Sequence, residues 1–126
     1  MKKGLVSGLM ALTIIGFLLA TSVFGADIDL AKKSTIEEIL KRGELRVGFE
    51  SGYVPFEMTN KKGEFIGFDM DFARRLAKSM GVKFVPVNTA WDGIIPALVT
   101  GKFDIIMGGM TITQERNLKI NFAEPY

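Results

Sequence analysis

The sequence is 126 residues long, 48% hydrophobic and 24% charged, with 16 basic against 14 acidic side chains. That is enough chain for one modest domain, and it is too evenly charged to present the basic surface that nucleic acid requires. Neither His nor Cys occurs, which removes disulfides, thiol nucleophiles, the commonest general base and the usual metal-ligand spacings, so no metal or cofactor is expected.

In chain order, Lys2 and Lys3 precede an apolar stretch from Leu5 to Ala20, after which the sequence turns small and polar. This pattern predicts a secretory signal peptide over residues 1–25, because the apolar run falls short of the ~20 residues a spanning helix needs. Cleavage after Gly25 places Val23 at the third-last position, whereas cleavage after Ala26 would place the bulky Phe24 there. No Cys follows to carry a lipid, so the expected product is periplasmic and unanchored. Without Lys2 and Lys3, the basic and acidic counts become equal.

Residues 26–44 are expected to form an extension and a helix. In "STIEEILKRG", Ser34 and Glu37 fit a capping box, Gly43 a C-terminal stop, and Ile36, Ile39 and Leu40 an apolar stripe. "ELRVGFE" alternates as a strand does, and "YVPFEM" and "EFIGF" flank the turn residues Asn60 and Gly63 as in a hairpin. The helix "FDMDFARRLAKSMG" is expected to bury Phe72, Ala73, Leu76, Ala77 and Met80 and to pair Asp71 with Arg75. "KFVPVN" reads as a strand whose Pro86 suggests an edge. A helix over "AWDGIIPALVTG" places Pro96 near its first turn. "KFDIIMGG" reads as a buried strand, "TQERNLK" as a helical turn and "INFAEPY" as an extended piece. This order predicts an α/β fold with a mainly parallel sheet flanked by helices, and ligands in such sheets sit at the carboxyl ends of the strands.

Three loops fall there. In "GGMTITQER", Gly108 and Gly109 expose backbone groups, Thr111 and Thr113 add hydroxyls, either able to cap the turn that follows, and Arg116 supplies a fork matched to a carboxylate. No phosphate-loop pattern occurs, since "TGKF" lacks the first glycine and the final hydroxyl. "ESGYVPF" offers Glu50 and Tyr53, and the loop from Asn88 to Gly93 offers Trp91 and Asp92. The two aromatics can wall a slot, with Glu50 facing a donor on the ligand. Taken singly, Trp91 reads equally well as core and Thr111 as a helix cap. Glu50 with Glu57 is the carboxylate pair that enzyme chemistry could use, but acids often flank strands and the pair carries little weight.

From Arg46 to Tyr126 the chain resembles the first lobe of the polar amino-acid-binding proteins of bacterial ABC importers, extracellular solute-binding family 3. "GFDMDFARRLAKSM", "WDGIIPALVTGKFDIIMGGMTITQER" and "INFAEPY" carry the resemblance in order and spacing. It implies a type II periplasmic-binding-protein-like fold, of which residues 45–126 are the first lobe, with the second lobe absent. The family closes two lobes around a free amino acid and presents the closed form to a permease in the inner membrane. By position, Arg116 resembles the clamp on the ligand α-carboxylate, with Thr111, Gly109 and Met110 assisting. Tyr53 and Trp91 resemble the aromatic sandwich, and Glu50 resembles the acid at the polar end of the side chain. A polar or cationic amino acid is the implied ligand. Single-lobe binding is expected to be weak, and self-association through an incomplete lobe is a further expectation. The competing readings are a remnant that does not bind, a periplasmic dehydratase-like enzyme and a sensor domain of the same fold.

Overall fold

The computed structural model describes residues 34–126; the expected signal peptide and most of the extension lie outside them. Helix α1 (Thr35–Arg42) runs into strand β1 (Glu44–Phe49), and a hairpin of β2 (Met58–Thr59) and β3 (Phe65–Ile66) leads to α2 (Phe68–Ser79). Then follow β4 (Lys83–Asn88), α3 (Trp91–Val99), β5 (Ile105–Ile106) and the single turn α4 (Gln114–Asn117). Strand β1 lies between β4 and β5 and is parallel to both. Its register runs from Glu44 opposite Lys83 to Phe49 opposite Asn88, with Val47 and Gly48 opposite Ile105 and Ile106. The expected α/β arrangement is therefore present, and Pro86 sits on an edge strand, where a missing N–H is tolerated.

One face of β1 contributes Leu45 and Val47 to a core shared with Ile39 of α1, Ala73 and Ala77 of α2, and Met107. The small alanines let α2 lie close to the sheet. On the other face, Gly48 leaves room for the buried Phe103 ring, which a Cβ at Gly48 would meet at 2.4 Å. At the amino end of the sheet, Asp104 accepts 2.8 Å hydrogen bonds from the Arg46 backbone N–H and from Arg46 Nη2, and another from Arg42. Burial alone would raise the Asp104 carboxyl, but the donors on Arg46 and Arg42 outweigh it and hold the group below its ordinary value. This clamp ties α1, β1 and the start of β5 together.

Several local expectations are corrected. Ser34 makes no side-chain cap, although Gly43 closes α1 in the left-handed conformation, φ 74°, with its N–H on the Ile39 carbonyl. Only Ile39 of the α1 stripe is buried, with Ile36 58% and Leu40 51% exposed. In α2 the buried face is rotated to Asp69, Met70, Ala73 and Ala77, leaving Phe72 39% exposed. Asp71 pairs with Arg74 at 2.9 Å rather than with Arg75, because Arg74 also reaches the Phe65 carbonyl across the hairpin. Pro96 lies inside α3, not in its first turn, so Asp92 loses the donor that would normally answer its carbonyl. Strand β5 is a half-buried two-residue edge rather than a buried strand, and the segment after α4 has no regular structure.

Gly48→Ala is expected to lower stability by about 1–3 kcal/mol through overpacking against Phe103, read as a shifted urea midpoint. Asp104 has a depressed folded value, so its stabilisation is present above the unfolded carboxylate range and is lost as pH falls through the folded value. Asp104→Asn should therefore unfold more easily at pH 7 and show a shallower decline into acid; equal acid curves for the two proteins would contradict the clamp.

Candidate functional site

The parallel strands β1, β4 and β5 end on the same side, and the segments 50–57, 89–90 and 107–113 meet there. Between them opens a cleft of about 450 Å³ lined by Glu50, Tyr53, Glu57, Trp91, Gly108 and Gly109, among others. Four residues expected from the sequence, Glu50, Tyr53, Trp91 and Gly109, are thus brought around one cleft.

Tyr53 is held by a tight turn in which its carbonyl accepts from the N–H groups of Phe56 and Glu57, at 2.8 and 3.0 Å, across a cis Val54–Pro55 peptide. Its ring packs on Phe56 at 5.2 Å and lies over Gly109. Gly109 has φ 59°, and a Cβ there would stand 2.6 Å from Tyr53 Cε1, so conformation and contact both call for glycine. Glu50 does more than face the cleft. Its Oε1 accepts the Trp91 backbone N–H at 3.1 Å, and it thereby caps α3, whose own preceding residue, Ala90, offers no side-chain acceptor. A carboxylate is favoured there because the first N–H groups of a helix lack partners and carry partial positive charge.

Met110, Thr111 and Arg116 are not among the residues that line the cleft. Arg116 Nη1 donates to the Thr111 carbonyl at 2.8 Å, and its guanidinium lies over the Trp91 ring at 5.6 Å. Trp91 therefore links the arginine to the wall. Of the two candidate caps for α4, Thr113 takes the role: its hydroxyl accepts the Arg116 N–H at 3.2 Å.

At the floor lies a group that spacing alone ranked low. Glu57 is 1% exposed, and its partner is Asp69, also 1% exposed, rather than Glu50. Glu57 Oε2 and both Asp69 oxygens are buried without a partner in hydrogen-bond geometry, although the Tyr126 hydroxyl stands near enough to Asp69 to interact with it. Burial, together with the hydrogen bond that the acid form can make to Asp69 and the charge of Asp69, pushes the Glu57 carboxyl up to about 8. Tyr126 lies beside this region, its ring exposed and stacked on Phe72 at 4.6 Å; partial desolvation of the phenol, then the charge of Asp69, hold it above the ordinary value. The signal that could have exposed the pair is the helical phase of α2: an Asp one turn ahead of Ala73 on the same face, beside a hairpin that carries Glu57.

Residues 45–126 match the family model of bacterial extracellular solute-binding proteins, family 3. The chain is 40% identical over 96 residues to a cyclohexadienyl dehydratase from Pseudomonas aeruginosa, covering 76% of this chain and 36% of that protein. The structure resembles that of a binding component of an ABC transporter from Wolinella succinogenes complexed with lysine, at 69% identity and TM-score 0.66, covering 67% of this chain and 36% of that one. It also resembles the arginine-bound form of domain 1 from TmArgBP, at 44% identity and TM-score 0.69, covering 71% of each chain. The chain spans less than half the length of the curated relatives it matches.

Because the folded chain holds a proton on Glu57 that the unfolded chain releases near 4.5, stability should fall as pH rises from about 4.5 to about 8 and then level. Glu57→Gln should flatten that decline in thermal melts; an unchanged slope would contradict the buried acid. Gly109→Ala should displace Tyr53 and strain a left-handed position, lowering the melting temperature by several degrees.

Proposed function

The chain belongs to the bacterial extracellular solute-binding proteins of family 3, and from that premise we propose that it is the first lobe of the periplasmic substrate-binding component of an amino-acid ABC transporter. Residues 1–25 are its signal peptide, 26–44 an extension and helix, and 45–126 the lobe itself. Its ligand is a free L-amino acid with a polar or cationic side chain. The observation that carries this reading is the composition of the cleft: two aromatic walls, Tyr53 and Trp91, two acids, Glu50 and Glu57, and no basic residue among those that line it. Such a slot favours a flat or extended cationic group. Lysine in the Wolinella succinogenes structure and arginine in domain 1 from TmArgBP support the same ligand class, and the latter supports binding by one lobe.

In this reading Arg116 leaves the Thr111 carbonyl, or shares it, to clamp the α-carboxylate, with Thr111 and the backbone at Gly109 and Met110 beside it. The permease of the inner membrane receives the loaded protein. The exposed aromatics Phe56, Phe68, Phe72 and Tyr126 form a surface through which copies of this chain can associate. The similarity to a cyclohexadienyl dehydratase favours a second reading, with Glu57 as a general acid in the cleft.

Calorimetry of the purified chain against arginine, lysine, histidine and glutamine should show binding of at least one of them. Arg116→Ala should weaken it about tenfold to a hundredfold, the worth of a charge-assisted hydrogen bond. Retained affinity would refute the clamp. Turnover of a cyclohexadienyl acid that is lost in Glu57→Gln would instead favour the enzyme reading.

A further inference from the structure

Glu57 and Asp69 are more buried and less satisfied than anything else polar among the described residues. Each is 1% exposed, and three of their four carboxylate oxygens are buried without a hydrogen-bond partner. A buried polar atom without a partner is costly, and more so when charged, so a pair left in this state calls for a proton or a cation. Yet Glu57 is among the residues that line the cleft, beside Gly108, where a Cβ would stand 3.2 Å from Glu57 Oε1.

We propose that Glu57, backed by Asp69, seats the cationic end of the ligand side chain, and that seating it expels one proton from the pair to solvent. This rests on the amino-acid-binding reading above and goes beyond it by coupling uptake to proton release. With no ligand bound, the proton on Glu57 supplies a donor between the two carboxyls. An ammonium or guanidinium brings its own donors and a full positive charge, which favours the ionised carboxylate and makes the proton redundant. A neutral side chain brings no such charge, so it leaves the proton in place.

The surrounding groups are consistent with this exchange. From α2 comes Asp69, from the final segment Tyr126, and from the loop after β1 come Glu50 and Tyr53; Glu50 is engaged at the amino end of α3. The nearby cation on α4, Arg116, is directed to the Thr111 carbonyl and the Trp91 ring. No basic side chain contributes to the displacement of Glu57 from its ordinary value. The charge that replaces the proton therefore has to come from the ligand.

Calorimetric titration at pH 7 in buffers of different ionisation enthalpy counts the protons released. Arginine and lysine should each release close to one proton at pH 7, fading above about pH 9, and glutamine should release none. Glu57→Gln should bind arginine more weakly and without buffer dependence, and carboxyl NMR of the wild-type chain should show Glu57 neutral at pH 7 when empty and ionised when arginine is bound. Arginine binding with no proton release, or release undiminished in Glu57→Gln, overturns the coupling while leaving the binding reading intact. Failure of every amino acid to bind overturns both.

Discussion

Because β1 pairs along both of its edges, with β4 through six residues and with β5 through two, its carboxyl end is where the loops of all three strands converge. The chain leaves β1 for β4 on one side and returns to β5 on the other, so the cleft opens at the crossing between them. Gly48 is the small residue that leaves room beside the second pairing for Phe103, which presses against it just before β5 begins. The Asp104 clamp fixes the same strand from the opposite end. Together these contacts decide where Gly108 and Gly109 stand relative to Tyr53 and Glu57.

The cleft walls depend on one another as much as on the sheet. Glu50 reaches across to the first N–H of α3, and so orients Trp91; Trp91 in turn underlies the guanidinium of Arg116, which is also held by the Thr111 carbonyl. A side chain that reads as a ligand contact is therefore also a helix cap, and an aromatic that reads as core is a platform for a cation. These double uses arise because the first turn of α3 has no acceptor of its own in Ala90.

Much of the architecture was legible in the sequence. Glycines mark the end of α1 and the turn after α2, Pro86 marks an edge, and the apolar alternation of Leu45, Val47 and Phe49 marks the central strand. The cluster of Glu50, Tyr53, Trp91 and Gly109 was legible too, because each lies in a loop that a parallel sheet must send to the same side. What misled was phase and partnership. The stripe Phe72 to Met80 predicts one face of α2, whereas the buried face begins at Asp69; the pairing of Asp71 with Arg75 gave way to Arg74 because the hairpin carbonyl of Phe65 lies within its reach.

The sequence by itself determined the α/β class, the parallel order of strands and the loops from which a site could be built, since periodicity, turn residues and chain order are local properties. Only the tertiary structure decided that Glu57 faces Asp69 rather than Glu50, that Thr113 and not Thr111 caps the last turn, and that Arg116 rests on Trp91. Protonation and partner choice at these positions follow from burial and from distances between residues far apart in the chain, which no local pattern encodes. The acid of lowest standing in the linear reading is, for that reason, the one whose chemistry the fold changes most.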